Sequence, residues 1–253
     1  MKKVTKIITL LNQFSDARDI IKNSLKLYQK LDIVWEILFV CEMPLFDIPS
    51  FFNSHDNSID KDKIKDEISH ILKKLNINES IAIFVYIDDS LDRVKRLIYS
   101  DKDMIITGYK SGIYKDILKD IKNPLLVVKN SKISKKSITI LDLNSDFKEC
   151  LNKTHFLFSD IENFLLYDYK FIIDPSMPSQ LQNSKEFENL NRKRFKEILN
   201  FSSLDGDFFI DDSIDNKKVV DYLSTKHSNL IIDCTGSKNT YLVENLNSNV
   251  LYI

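Results

Sequence analysis

The chain has 253 residues, 43% hydrophobic and 29% charged, and its 36 basic against 37 acidic side chains leave a formal charge of −1. That balance is ordinary for a soluble globular protein and offers no basic excess for a nucleic-acid backbone, while the length suits two domains of roughly 100–150 residues better than one large one. Cys41, Cys150 and Cys234 stand more than 80 residues apart, with no CxxC pair and no matching histidine spacing, which argues against a zinc site or a disulfide framework and for a reducing compartment, the cytoplasm.

The N-terminus, MKKVTKIITLLNQFSD, places Lys2 and Lys3 ahead of apolar residues as an export signal would, but Asn12, Gln13 and Asp16 cut the apolar run short. Ile7–Leu11 is therefore read as a first buried strand, with neither an export signal nor a membrane span. Ser15 is placed to cap a helix whose inward stripe is Ile20, Ile21, Leu25 and Tyr28. VWEILFV (34–40) is the second strand. The polar stretch 51–66 leads into a helix over 60–75 that carries Ile64, Ile68, Ile71, Leu72 and Leu75 at helical spacing. IAIFVYI (81–87) is the third strand, and it runs into IDDSLD (87–92). There Asp88 and Asp89 form the turn, Ser90 is placed as the cap of a helix with Val94, Leu97 and Ile98, and Asp92 suits the helix dipole. Two carboxylates at a strand end also fit a metal or phosphate site, but a magnesium site draws carboxylates from several strand ends. MIIT and PLLVV are strands four and five, around a helix with Ile113, Ile117, Leu118 and Ile121.

After a short basic linker, KNSKISKK (129–136), the pattern recurs. ITLLNQFSD (8–16) answers to ITILDLNSD (138–146) at an offset of 130, with Ile, Thr, Leu, Ser and Asp kept in place. ILFVCEMP (37–44) answers to FIIDPSMP (171–178) at 134, and IDDSLD to IDDSID (210–215) at 123. MIITG (104–108) and NPLLV (123–127) face LIIDC (230–234) and NVLYI (249–253), both at 126. Matches kept in order across insertions are the mark of a duplicated unit. Continuous apolar strands joined by amphipathic helices imply a parallel sheet covered on both faces. The expectation is two tandem α/β domains, 1–129 and 136–253, each a five-stranded parallel sheet with helices on both faces.

A polar residue closing strand one, a hydrophobic IITG fourth strand and a final NP-LLVV strand resemble the universal stress protein family, in its tandem form. The resemblance covers 4–129 and 136–253 and rests on pattern more than on invariant motifs. It implies a flavodoxin-like (adenine nucleotide alpha hydrolase-like) fold. Many members bind ATP, through an aspartate at the end of strand one and a loop after strand four reading G-x2-G-x9-G-[ST]. Mapped here, strand one ends in Asn12 in the first copy and Asp142 in the second. After strand four the first copy has Gly108 and Gly112, four apart instead of three, with no later Gly-Ser; the second has Gly236 and Ser237 without a partner glycine. Backbone N–H groups reach a phosphate only where no Cβ intervenes. The family's phosphate binding is thus expected to be lost in copy one and weakened in copy two.

His55, His70, His155 and His227 stand in no catalytic motif; Ser54-His55-Asp56 is a neighbourhood of adjacent residues, whereas triads are assembled from distant ones. NRKRFKEIL (191–199) is read as an amphipathic helix with Phe195, Ile198 and Leu199 inward and Arg192, Lys193 and Arg194 in water. The leading expectation is a cytoplasmic, non-enzymatic stress-response or regulatory protein, with no cofactor, acting through a protein partner or small ligand. It has neither nucleic acid nor membrane as partner. The alternative is an ATP or AMP binder, possibly with slow hydrolysis, using Asp142, Gly236 and Ser237; an enzyme of a related α/β class comes third. The resemblance also implies that the fifth strands of the two copies pair within one chain as an internal pseudo-dimer.

Overall fold

The computed structural model describes residues 4–31, 33–41, 60–77, 80–130, 135–143, 147–170, 184–211, 217–237 and 240–253. The chain divides into two compact units, Lys2–Ser131 and Lys132–Ile253.

The first unit runs β1 (Lys6–Leu11), α1 (Ala17–Leu31), β2 (Val34–Cys41), α2 (Lys61–Lys74), β3 (Ala82–Ile87), α3 (Ser90–Leu97), β4 (Asp103–Gly108), α4 (Tyr114–Asp120) and β5 (Leu125–Val128). Its strands are ordered β3-β2-β1-β4-β5, all parallel. Every residue of β1 and of β4 is buried, so both faces of the sheet are covered. The polar interior is paired: Thr9 donates its hydroxyl proton to Ser24 Oγ at 2.6 Å and accepts from Trp35 Nε1 at 2.8 Å. The inward residues of α4, Ile113 just before it and Ile121 just after are buried as the periodicity predicts.

The second unit repeats the plan with β6 (Lys136–Leu141), α5 (Phe147–Phe158), β7 (Glu162–Lys170), α6 (Ser184–Ser202), β8 (Gly206–Asp211), α7 (Lys217–Thr225), β9 (Leu230–Cys234), α8 (Tyr241–Asn245) and β10 (Asn249–Tyr252). Its order is β8-β7-β6-β9-β10, again parallel. Register tests the repeat directly. Thr9 stands opposite Ile37 and Ile106, and Thr139 opposite Leu165 and Ile232, so the offsets of 130 and 126 hold for strands one and four. Ile87 and Ile210 are likewise equivalent, which places both hexapeptides at the end of the third strand; residues 212–216 lie outside the described residues.

Four expectations are corrected. The partner of Ile37 is Leu165, not Phe171: the second strand of copy two is Glu162–Lys170, while 43–44 and 171–178 lie outside the described residues. The fifth strands match at Leu125 and Val250, one residue from the expected register. The cap before α3 is Asp89, whose Oδ1 accepts from the Asp92 amide at 2.9 Å, while Ser90 is already helical and buried. α3 starts one residue earlier than expected, and an aspartate caps a helix start as well as a serine does.

The fourth correction is the disulfide. Cys150 and Cys234 are joined, with Cα atoms 6.0 Å apart across a sequence separation of 84. Sequence spacing hid the pair because α5 packs back on β9, and both sulfurs lie in the core of the unit. A cross-link of that span restricts the unfolded chain, so reduction is expected to destabilise the second unit by about 2–4 kcal/mol. Urea unfolding with and without dithiothreitol measures this; the Cys150→Ala, Cys234→Ala protein should match the reduced one in both media.

Candidate functional site

In each unit the strand order reverses beside the first strand: β2 and β3 lie to one side of β1, and β4 and β5 to the other. Ligands of open parallel sheets bind at such a switch point, beyond the carboxyl ends of the strands. In the first unit that crevice lies at Asn12, after β1, and Gly108, at the end of β4. The structure therefore brings Asn12, Gly108 and Gly112 to one place, and Asp142, Gly236 and Ser237 to the matching place in the second unit.

The first crevice is built around a residue that sequence reasoning did not single out. α1 begins at Ala17, so Asp16, not Ser15, stands at its start, and Asp16 O accepts from the amides of Asp19 and Ile20 at 3.0 and 3.1 Å. The Asp16 side chain lies against Gly108. A methyl group built on Gly108 would overlap that carboxylate and stand 2.8 Å from Ile20 Cδ1, so only glycine admits Asp16 here. Asp16 is 9% exposed, and neither carboxylate oxygen has a hydrogen-bond partner of normal geometry; Asn12 Oδ1 and Gln13 Nε2 are buried in the same condition. Burial raises the Asp16 pKa above its ordinary 3.8, opposed by the nearby amides of Asp16 and Lys110, the Lys110 ammonium and the Gln13 side chain. The available signal was the repeat itself, which keeps Ser15-Asp16 as Ser145-Asp146, although 144–146 lie outside the described residues.

The loop after β4 is short. Ser111 donates its hydroxyl proton to Gly108 O at 2.9 Å, Gly112 takes φ +72°, and α4 starts at Tyr114. Gly112 faces open space, so its φ is what calls for glycine, not a close approach.

In the second unit Asp142 follows β6, and the register sets Leu141 beside both Tyr167 and Cys234. Tyr167 is buried, and its hydroxyl is pushed up to about 12, first by burial and then by the Asp142 charge. The loop after β9 is tied to the buried Asp233: its Oδ1 accepts from Thr235 N at 2.9 Å and from Thr235 Oγ1 at 2.7 Å. The hydroxyl and amide of Ser237 lie 2.8 and 3.2 Å from Thr235 Oγ1, and Gly236 takes φ +70°. Tyr167 and Asp233 are the crevice residues that the motif mapping passed over.

Asp88 pairs with Arg93 across 2.5 Å, and among the described residues no cluster of His, Cys, Asp and Glu could hold a metal ion. His70, His155 and His227 are exposed, and Ser54-His55-Asp56 lies outside the described residues. Arg192 is not simply solvated: it pairs with Glu188 at 2.7 Å and its guanidinium lies 4.3 Å over the Phe208 ring. Among the described residues no helix is long and apolar enough to cross a membrane.

Among solved structures the chain is similar to a universal stress protein from Archaeoglobus fulgidus, at TM-score 0.60 and 12% identity, covering 99% of this chain and 96% of that one. The chain shares the fold of a universal stress protein. It is also similar to a functionally unknown protein from Pseudomonas aeruginosa, at TM-score 0.66 and 10% identity, covering 100% and 93%. No family model matches, and no curated protein matches in sequence.

Asp16 sets a pH dependence with a definite sign. A carboxyl whose folded pKa is raised contributes stability that is complete below 3.8 and is lost as pH rises through the higher folded value. Asp16→Asn, which stays neutral, should therefore be more stable than the unmodified protein at neutral pH, and the difference should vanish below 3.8; denaturant midpoints across pH check it.

Proposed function

We propose that the chain is a non-enzymatic regulatory protein of the universal stress type, acting by binding a protein partner or a small ligand. The observation that carries this reading is the state of the two crevices: the first is filled by the Asp16 carboxylate, and the second has its loop pinned to Asp233 and tied beside Cys150. Among the described residues neither presents the glycine-rich phosphate loop that the resemblance associates with ATP.

A second reading, an adenine nucleotide binder, is favoured by the placement of Asp142 beside the Thr235–Ser237 loop at the second switch point. ATP with magnesium separates the two. A nucleotide held by Asp142 would stabilise the folded state, by about 2.7 kcal/mol at a hundred times its dissociation constant, and Asp142→Ala would remove the rise in melting temperature. The regulatory reading expects no rise at millimolar ATP and no adenine chromophore released when the purified protein is denatured.

The internal pseudo-dimer is part of the same proposal. β5 and β10 are the last strands of their own ladders, apolar and four residues each, and apolar strand edges left unpaired invite aggregation. Pairing them with each other answers that hazard within one chain. Deleting 250–253 should then lower the melting temperature far more than trimming a frayed end would and should promote self-association; a truncated protein with unchanged melting and sizing-column behaviour would place the contact elsewhere.

A further inference from the structure

β3 is the last strand of the ladder in the first unit: β2 holds one of its edges, and among the described residues no strand pairs with the other. The register fixes which backbone groups face outward. Cys41 stands beside Ile87, and the Asp88 amide donates to Cys41 O at 3.2 Å, so Asp88 and, by alternation, Tyr86, Phe84 and Ala82 address β2. The N–H and C=O groups of Ile83, Val85 and Ile87 point the other way. Natural sheets blunt such an edge with charge, proline or a bulge. β3 has none of these: its register with β2 is unbroken, and no charged residue or proline occurs between Ser80 and Ile87. β8, at the matching place in the second unit, carries Asp207, paired with Lys226 at 3.2 Å, and Asp211. Ala82 is exposed and Ile83, Phe84, Tyr86 and Ile87 are only half-buried, so Val85 alone is sunk into the unit.

The edge also reads alike in both directions. About Val85 it runs Ile83-Phe84-Val85-Tyr86-Ile87, with aliphatic and aromatic side chains in mirror order. A twofold axis demands such self-complementarity, because wherever residue i meets j, j must also meet i. We propose that the open edge of β3 is an interface between two copies of this chain, whose β3 strands pair antiparallel about a twofold axis at Val85. The outward backbone groups then match: Val85 faces Val85 of the second copy and Ile83 faces its Ile87, in the pairs that exchange hydrogen bonds. Phe84 lies opposite Tyr86 in the closer pairs between them, where aromatic neighbours across strands are stabilising. Asp88 falls opposite Ala82 and Asp89 opposite Ile81, so no like charges are set against each other, and Asp88 is already paired with Arg93. The interface is independent of any ligand and of the contact proposed between β5 and β10.

Sedimentation velocity of the full chain, at concentrations up to about 100 μM, should show a reversible equilibrium of monomer and dimer. Ile83→Lys combined with Ile87→Lys sets lysine against lysine at both ends of the paired strands and should raise the dissociation constant by about a hundredfold or more. Ile83→Lys combined with Ile87→Glu sets lysine against glutamate at the same places and should bring association back to within about tenfold of the unmodified protein. A chain that stays monomeric at every concentration overturns the proposal and leaves the edge to a different protein. A dimer that persists in the folded Lys/Lys variant, or that the folded Lys/Glu variant fails to recover, overturns it as well. If the variants do not fold, amide hydrogen exchange of the unmodified protein carries the test. Raising its concentration should slow exchange at Ile83, Val85 and Ile87 while leaving Phe84 and Tyr86, which address β2, unchanged; rates at Ile83, Val85 and Ile87 that do not respond to concentration overturn the proposal.

Discussion

The structure depends on burial of the first and fourth strand of each unit, complete but for Lys136 at the start of β6. A parallel ladder whose central strands are covered on both faces has no solvent side on which to place a polar residue, so each hydroxyl inside must find a partner within the protein. The two units meet this demand at one equivalent position by different means. Thr9 joins Ser24 and the Trp35 indole, whereas Thr139 donates to Asn163 Oδ1 at 2.8 Å and Ser137 donates to the same oxygen at 3.0 Å. The duplicated fold keeps the threonine and lets the partner change. Lys6 at the opposite end of β1 follows the same rule: it is 8% exposed, with its ammonium 2.8 Å from Leu97 O and 3.4 Å from Glu36. A charge this deep is tolerated only with such company.

With the strands so constrained, variation falls on the loops at their carboxyl ends, and there the two copies have gone separate ways. The first crevice is governed by charge: a carboxylate lies against a glycine, with the cationic Lys110 close by. The second is governed by tethering, through a disulfide at the last residue of β9 and an aspartate side chain that holds the next turn. Thr107 occupies the place of Asp233 in the first unit, and its hydroxyl donates to Leu10 O at 3.2 Å instead of organising the loop. Identical strand order thus supports two chemically unlike sites, as expected when function resides in residues grafted onto a common scaffold.

The duplication, the alternation of strand and helix, the parallel sheet and the position of each crevice were legible in the chain itself. These features are written in periodicity, and periodicity survives because every turn of helix and every buried strand repeats the same demand for apolar residues. Side chains that act across the fold were not legible. The shared Met-Pro drew the second strand of copy two toward 171–178, but pairing with β6 selects ENFLLYDYK, whose tyrosines and Asp168 blur the apolar run. Cys150 and Cys234 looked unrelated because their proximity arises only when α5 folds back on β9. Asp16 looked like one more polar residue after a strand. That its carboxylate faces Gly108, 92 positions later in the chain, follows from β1 and β4 being neighbours, and adjacency between distant segments is set by packing, not by local pattern.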